Sequence, residues 1–258
     1  MAPAGYGNRV EGIHAVSAAA HAGRVNRLYV ERGRAERVEL ATLIDQIGDS
    51  RVALVDDVRA MATTDAPQGV VADCRPISSV TLESMSGQGA ALLVLDHVED
   101  PQNVGAVARS ARAAGITGLV VSARRAAPLS AAAFKASSGA LETLPVAIIG
   151  SIPEGLSRLK EFGVWIVGLD ASGDESLFGL DLLTEPVAVV IGAERGGLSQ
   201  LASQRCDVLA SIPMSEGSES LNSSVSGALA AFEIMRVRNR QNEMLRIRPK
   251  ASGGESPT

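Results

Sequence analysis

Short apolar runs recur at regular intervals from Ala90 onwards, and their spacing is the strongest constraint on the fold. The runs are ALLVLD, GLVVS, PVAII, VWIVGLD, VAVVIGAE and VLASIPM. Helical or turn-rich stretches separate most of them, and fully apolar strands that alternate with helices are typical of a parallel sheet covered on both faces. The sequence therefore predicts an α/β domain with a mostly parallel sheet over residues 90–245, followed by a disordered tail over 246–258.

Residues 1–76 are predicted to form a second, small α/β domain. GIHAVSAAAHAG and ERVELATLIDQIG are typical of helices that end at a glycine, and NRLYVER, RVALVDD and GVVADCRP are typical of strands. A polar stretch rich in Ser and Gly follows at residues 77–89, and its lack of periodicity predicts a linker.

The composition argues against several classes of protein. No apolar run approaches the roughly 20 residues needed to span a bilayer, and the N-terminus lacks the apolar core of a signal peptide, so we expect a soluble, cytosolic protein. The two cysteines, Cys74 and Cys206, lie far apart and the three histidines are dispersed. This pattern indicates neither a disulfide framework nor a metal site.

The first of three loops at predicted strand ends is DHVEDPQNVGAVARSARAAG, residues 96–115. Its Asp-Pro pair is typical of a helix start, and its last glycine of a helix end. Small and apolar residues recur at helical spacing and predict the buried face, namely Val104, Val107, Ala108, Ala111 and Ala114. Asn103 and Arg109 lie off this face, where they are free to meet a ligand, and Gly105 permits the close approach of another backbone.

The second and third loops follow two further predicted strands. VVIGAERGGLS places a carboxylate, Glu194, among three glycines, and SIPMSEGSESLNSSVSG joins a strand to the last helix. Because ligands bind at the carboxyl ends of strands in such sheets, we expect all three loops to contribute to one site. No Ser/His/Asp arrangement indicates a hydrolase.

Together the three loops resemble the motifs of the SpoU/TrmH family of RNA ribose 2'-O-methyltransferases, in the SPOUT superfamily. The first motif, N-x-G-x-x-x-R, is met by Asn103, Gly105 and Arg109. The second, G-x-E-x-G-G, is met by Gly192, Glu194, Gly196 and Gly197. The third, I-P-M followed by S-L-N, is met by Ile212, Pro213, Met214, Ser220, Leu221 and Asn222.

The N-terminal segments GIHAV and QGVVA resemble the substrate-binding domain of one bacterial branch of this family. That branch methylates a guanosine in the peptidyl-transferase loop of large-subunit (23S) ribosomal RNA. The chain departs from the family pattern at three positions. Pro67 replaces a frequent His, Glu216 a common Gly, and Ser223 the usual Val or Ala.

The resemblance implies S-adenosylmethionine as the cofactor, held in a deep trefoil knot of the C-terminal domain, with no metal. The implied cofactor-binding residues are Gly168, Leu169, Gly192, Ile212, Met214 and Leu221. The implied catalytic residues are Asn103, Arg109, Glu194, Ser220 and Asn222. Since a guanidinium stays protonated, we expect Arg109 to grip the target phosphate and stabilise alkoxide charge rather than act as a base. Asn103 and Glu194 would orient Arg109, while Ser220 and Asn222 would position the ribose or the methionyl end of the cofactor.

The implied partners are RNA and a second copy of the chain. Net charge is −5, yet 21 of the 24 basic residues are arginine, the side chain suited to phosphate. Two candidate RNA-binding segments are a basic run, Arg236–Lys250, and an Arg-rich stretch in the first domain that contains Arg9, Arg24, Arg27, Arg32, Arg34 and Arg37. The last helix, predicted from about Leu221 to Gln241, has small residues suited to a homodimer interface. Its predicted apolar stripe is Val225, Ala228, Leu229, Phe232 and Met235.

Other functions remain open from the sequence alone. The substrate is alternatively a tRNA loop or an adenosine of ribosomal RNA that is an antibiotic target. A non-catalytic RNA-binding protein with the same fold is a second alternative. An NAD-dependent oxidoreductase is supported only by the alternating strands and helices, because no G-x-G-x-x-G follows any strand.

Overall fold

The structure is a computed structural model that describes residues 5–124, 126–194, 196–215 and 220–247. Most of the predicted disordered tail and Glu216 lie outside these ranges. Residues 246 and 247 belong to the last helix.

The N-terminal domain is built on a four-stranded sheet in the order β1-β4-β2-β3. Its strands are β1 Arg9–Glu11, β2 Val25–Glu31, β3 Val52–Val55 and β4 Val70–Cys74. Strands β2 and β3 are parallel, whereas β4 runs antiparallel to both of its neighbours. The three predicted strands are present. The sequence missed β1, which at three residues is too short to show a period.

The C-terminal domain contains a seven-stranded sheet in which every pairing is parallel, in the order β7-β6-β5-β10-β8-β11-β9. Its strands are β5 Ala91–Leu95, β6 Gly118–Ser122, β7 Val146–Ile149, β8 Trp165–Leu169, β9 Glu175–Ser176, β10 Val187–Ile191 and β11 Val208–Ser211. The predicted α/β class and the six predicted strands are confirmed. The sequence missed β9, a two-residue strand at the edge of the sheet.

Helices cover both sheets. They are α1 Ile13–His21, α2 Val38–Ile47, α3 Leu82–Met85, α4 Pro101–Ala113, α5 Ala131–Ala136, α6 Ile152–Glu161, α7 Gln200–Ser203 and α8 Ser223–Ile247. None of the helices in the described part of the chain is long and apolar enough to cross a bilayer.

Helix α4 forms as its sequence predicts. The side chain of Asp100 accepts a hydrogen bond from the backbone N–H of Gln102, and Pro101 occupies the first turn, where its missing N–H costs nothing. Gly115 follows the helix with a φ of 74°. The predicted apolar face is buried along its whole length, and its members are Val104, Val107, Ala108, Ala111 and Ala114.

Residues 77–89, predicted as a linker, pack against the C-terminal domain. Leu82 and Met85 are buried, and the backbone N–H of Val80 donates to the carbonyl of Val146 over 3.0 Å. Thr81 caps the short helix α3 by accepting from the N–H of Ser84. The polar composition of the segment did not predict this packing, because its large buried side chains on α3 are just Leu82 and Met85.

The predicted apolar stripe of α8 is wrong for contacts within one chain. Val225 and Phe232 are 44% and 45% exposed. The buried residues are Ser223, Gly227, Ala230, Ala231, Glu233 and Ile234. A side chain at Gly227 would lie 2.9 Å from a methyl group of Val107. The helix therefore packs Gly227 closely against α4 and leaves Val225 and Phe232 at the surface.

The two domains share a buried contact that centres on α5 and the turn after it. Phe134 of α5 is fully buried and its ring lies 6.1 Å from the ring of Tyr6. Arg24 of the N-terminal domain donates to both carboxylate oxygens of Glu142 over 2.7 and 2.6 Å. The side chains of this ion pair are only 10% and 2% exposed.

Candidate active site

The parallel sheet brings the predicted site loops to one edge. Strands β5, β10, β8 and β11 are consecutive neighbours in the sheet, and all of them point the same way. Their carboxyl ends therefore meet, and the segments that follow them converge there. These segments start at Asp96, Gly192, Asp170 and Ile212 respectively.

Three of the predicted catalytic side chains contact one another. Asn103 donates from Nδ2 to Oε1 of Glu194 over 2.7 Å. Asn222 donates to Oδ1 of Asn103 over 3.2 Å and also to Oε1 of Glu194. Asn222 in turn accepts a hydrogen bond from the backbone N–H of Ser224 over 2.8 Å, so the start of α8 holds its amide group in place. One side chain from each motif thus forms a single hydrogen-bonded cluster.

A cavity of about 340 Å³ opens beside this cluster, within the range of small-molecule sites, roughly 300–1,000 Å³. We call it the first cavity. Seven of the predicted site residues line it, namely Leu169, Gly192, Glu194, Ile212, Met214, Ser220 and Leu221. The structure therefore brings together five of the six predicted cofactor-binding residues.

The loop after β10 is tight because Gly192 tolerates no side chain. A Cβ placed there would lie 2.1 Å from the carbonyl carbon of Gly197. Ala193 and Gly197 exchange two backbone hydrogen bonds of 3.0 Å across the loop, and Gly197 has a φ of 61°. Glycines at these positions let the backbone fold back on itself and form a wall of the first cavity.

Gly168, the remaining predicted cofactor residue, is not among the residues that line the first cavity. A Cβ at Gly168 would lie 2.7–2.8 Å from side-chain atoms of Cys206, Leu198 and Leu209. The structure thus assigns this glycine to close packing behind the cavity wall.

The sequence did not predict three polar residues that line the first cavity, Asp170, Ser223 and Ser226. Hydrogen bonds from the hydroxyl and the backbone N–H of Ser172 lower the pKa of the Asp170 carboxyl below its usual value. The sequence could have indicated Asp170, because this acid directly follows an apolar strand. Glu194, which was predicted, lies at a similar place just after the end of another strand. Ser223 is 3% exposed, and its hydroxyl oxygen is buried without a hydrogen-bond partner among the described residues.

A second cavity, also of about 340 Å³, adjoins the first. We call it the second cavity. It is lined by His97, Val98, Glu99, Asp100, Asn103, Ala193, Glu194 and Ser223. Three of these residues, Ala193, Glu194 and Ser223, line the first cavity as well. Glu194 of the hydrogen-bonded cluster therefore lines both cavities, and Asn103 lines the second.

Gly105 allows close packing, as its sequence context predicts. A Cβ there would lie 2.4 Å from the carbonyl oxygen of Ala133 and 2.5 Å from the Cβ of Ala136. Helix α4 therefore touches the backbone of α5, the helix that contacts the N-terminal domain.

Arg109 stands apart from the other predicted catalytic residues. It is exposed, it takes no part in the hydrogen bonds that join Asn103, Glu194 and Asn222, and it lines neither cavity. It lies six positions after Asn103 on the same helix, which corresponds to about 9 Å along the helix axis. The expectation that Asn103 and Glu194 orient Arg109 is not met within one chain.

Comparisons with known proteins cover both domains. The family model described as SpoU rRNA Methylase family matches residues 90–232, and the model described as RNA 2'-O ribose methyltransferase substrate binding matches residues 9–80. The chain is 38% identical over 234 residues to the 23S rRNA (guanosine-2'-O-)-methyltransferase RlmB of Nitrosomonas europaea, which covers 87% of this chain and 90% of that protein.

Solved structures resemble the fold over most of its length. The SpoU methyltransferase AviRb from Streptomyces viridochromogenes, in complex with the cofactor AdoMet, is similar with a TM-score of 0.77, 26% identity and coverage of 90% of both chains. The AdoMet-bound rRNA methyltransferase from Sinorhizobium meliloti has a TM-score of 0.72 and 25% identity, covering 88% of this chain and 86% of that one. The resemblance found in the three sequence motifs is confirmed, and the chain belongs to the SpoU rRNA methylase family.

Proposed function

We propose that this protein transfers a methyl group from S-adenosylmethionine to the 2'-hydroxyl of a ribose in RNA, most specifically a guanosine in the peptidyl-transferase loop of 23S ribosomal RNA. The observation that carries the proposal is the hydrogen-bonded cluster of Asn103, Glu194 and Asn222, whose Glu194 lines both adjoining cavities. The methyl donor would occupy the first cavity and the target ribose the second. The assignment of the RNA is supported by relatives named as 23S rRNA methyltransferases.

The residues of the first cavity fit S-adenosylmethionine. Its glycine loop offers backbone groups rather than side chains, and a nucleoside can lie close to such a wall. Ser223 has a buried hydroxyl without a partner in the described residues, and a bound polar ligand would satisfy it. Asp170 supplies an ionised carboxylate suited to ribose hydroxyls or to a cationic group.

The chain's own contribution to the reaction is alignment and electrostatics. The cofactor, when bound, supplies an activated methyl group. Asn222 and Asn103 hold Glu194 in one orientation, so its second carboxylate oxygen can orient the target ribose or a nearby cation. Closing the two cavities with substrate removes water from the reacting groups.

Arg109 would act on the site of a partner subunit in a homodimer. Within one chain it lies away from both cavities, yet it belongs to the first motif. The exposed Val225 and Phe232 on α8, next to α4, form an apolar face that a second copy would cover. An isologous interface at this face would bring two α4 helices together and deliver each arginine to the other subunit.

Mixing two inactive variants tests this arrangement. Arg109→Ala removes the arginine, and Met214→Trp fills the first cavity. If Arg109 acts across the interface, co-refolding the two variants restores roughly a quarter of wild-type methyl transfer, because half of the dimers then hold one complete site. As a first control, each variant is refolded alone and should stay inactive. As a second, Phe232→Glu should prevent dimer formation, which light scattering measures as a monomer mass. A mixture that stays inactive while mixed dimers form would place Arg109 in its own subunit's site.

Asp170→Asn is expected to weaken binding of S-adenosylhomocysteine by roughly 10- to 100-fold, the usual worth of a hydrogen bond to a charged group. Calorimetry measures this directly. The matched control is Asp174→Asn, an acid on the same loop that does not line the first cavity. Unchanged affinity in Asp170→Asn would remove this carboxylate from the cofactor site.

Some of the arginines that the sequence offers for RNA binding are engaged in contacts within the protein. In the N-terminal domain Arg24 is committed to Glu142, and Arg9 pairs with Asp73 over 2.7 Å. On α8, Arg238 donates to the carbonyls of Leu183, Gly89, Ala90 and Glu185. Arg27 and Arg37 are exposed and are the better candidates for phosphate contacts, within the RNA-binding role that we propose for this domain.

The substrate is tested by mapping 2'-O-methyl groups on RNA from a deletion strain. Loss of one methyl group from a 23S guanosine, restored by the wild-type gene, is the expected result. Loss of a methyl group from tRNA alone would show that the substrate is tRNA rather than ribosomal RNA. If no methyl group is lost and the protein does not bind S-adenosylhomocysteine, a non-catalytic RNA-binding protein would be favoured.

Action on ribosomal RNA would place the enzyme in the cytoplasm. The trefoil knot stays a prediction.

A further inference from the structure

A histidine next to a buried carboxylate faces the second cavity. His97 lines this cavity, its side chain is 38% exposed, and its Nδ1 lies 2.8 Å from Oδ1 of Asp96. Asp96 is completely buried. Its Oδ1 has no hydrogen-bond partner among the described residues, and the imidazole of His97 lies directly beside it.

The loop that carries His97 is held firmly in place. The backbone N–H of Asp96 donates to Ile191, and the carbonyl of Val98 accepts from Ala127, both over 2.9 Å. Oδ2 of Asp96 accepts from the backbone N–H of Ser199 over 2.7 Å. His97 has a φ of 59°, a conformation that costs a residue with a side chain roughly 1–3 kcal/mol and that is concentrated at functional sites. The imidazole is thus pre-positioned at the cavity.

The charges around His97 favour a hydroxyl over a phosphate. Besides Asp96, the titratable groups that face it from the cavity walls are Glu99, Asp100 and Glu194. Carboxylates repel phosphate but accept hydrogen bonds from sugar hydroxyls.

We propose that His97 is a catalytic residue that accepts the proton of the ribose 2'-hydroxyl, with Asp96 as its positioning residue. This inference rests on the proposed function. Asp96 would hold Nδ1–H and leave Nε2 free as the acceptor. The oxygen lone pair forms the new O–CH₃ bond while the S–CH₃ bond breaks, its electron pair passing to sulfur, and the hydroxyl proton passes to Nε2. The resulting imidazolium faces Asp96, and Arg109 need not lose a proton.

His97→Asn tests the proposal, because asparagine tolerates a positive φ and does not titrate near neutral pH. Single-turnover methyl transfer is expected to fall about 100- to 10,000-fold, the usual worth of a general base. Wild-type rates should rise with pH as the general base loses its proton, and level off once the base is deprotonated. The variant should lose this rising limb, while its affinity for S-adenosylhomocysteine stays within a few-fold.

Two measurements separate proton transfer from a structural role. Free imidazole should restore part of the rate to His97→Gly, a variant whose backbone is relaxed at this φ. Modification of wild-type protein by diethyl pyrocarbonate should be blocked at His97 by target RNA with S-adenosylhomocysteine, but not at the exposed His21, which serves as the control.

The outcomes distinguish this inference from the function on which it rests. Wild-type protein that transfers no methyl group to any RNA would overturn the proposed function. Active wild-type protein with a His97→Asn variant that keeps the rate and the rising limb would overturn only the role of His97. An active wild-type protein whose His97 is modified equally with and without RNA would also exclude the histidine from the ribose site.

Discussion

Replacing Arg109 with alanine is expected to reduce methyl transfer by about 100- to 1,000-fold, the loss seen when one positioned donor to a developing negative charge is removed. The side chain is exposed and lines neither cavity of its own chain, so binding of S-adenosylhomocysteine should stay within a few-fold of wild type. Stability should also be nearly unchanged, because surface substitutions shift it little. Single-turnover methylation and calorimetry measure the two effects separately.

Arg112→Ala is the matched control for this loss. Arg112 lies on the same helix, is exposed, and donates to the hydroxyl of Thr143 over 3.0 Å. It belongs to none of the three motifs, and its removal should leave methylation near the wild-type rate. Arg109→Lys should recover little activity, since an ammonium cannot reproduce the planar, two-donor contact of a guanidinium. Wild-type turnover by Arg109→Ala would exclude the arginine from the reaction.

Local patterns predicted the elements, and the reason is physical. The apolar runs of the central strands β5, β6 and β10 are buried on both faces over almost their whole length, so their composition alone marks them as strands of a parallel sheet. In α4 the hydrophobic period and the capping residues at both ends predict the same helix, and the structure contains that helix. The short strands β1 and β9 were missed because two or three residues carry no measurable period.

Helix α8 marks the limit of such patterns. A hydrophobic period identifies a face but not what covers it. On α8 the small residues Gly227, Ala230 and Ala231 are buried, Gly227 against Val107 of α4, whereas Val225 and Phe232 are left at the surface. The chain buries the residues that allow close approach, and the stripe predicted from the sequence is the face proposed for a second copy.

The sequence predicted the residues of the site but not their contacts, because a pattern does not show what each residue touches. Motif spacing identified Asn103, Glu194 and Asn222, but nothing in one sequence shows that their amide and carboxylate groups contact one another across 91 and 28 residues. His97 was considered only as a metal ligand. Its pairing with Asp96 depends on a backbone conformation, φ 59°, that composition does not reveal.

Glu142→Ala is expected to lower the free energy of unfolding by about 3–5 kcal/mol, the cost of leaving the partner of a buried ion pair uncompensated. Arg24, with a side chain 10% exposed, would keep its charge in a buried setting with the carbonyls of Gly7 and Arg75 and the ring of Phe134 beside it but no carboxylate paired to it. The matched control is Asp56→Ala, which removes the 97% exposed partner of Arg32 and should cost less than about 1 kcal/mol. Urea denaturation measures both values.

The functional effect of Glu142→Ala follows from where the ion pair lies. It fastens the N-terminal domain to the segment after α5, and α5 packs on α4 at Gly105. Loosening this contact should weaken RNA binding, because the two domains would no longer present one fixed surface. Affinity for S-adenosylhomocysteine should be retained, because neither Arg24 nor Glu142 lines the first cavity. If Glu142→Ala costs no more stability than Asp56→Ala, the buried pair does not hold the domains together. If RNA affinity is unchanged in a destabilised Glu142→Ala protein, the N-terminal domain does not need to be fixed in place to bind its RNA.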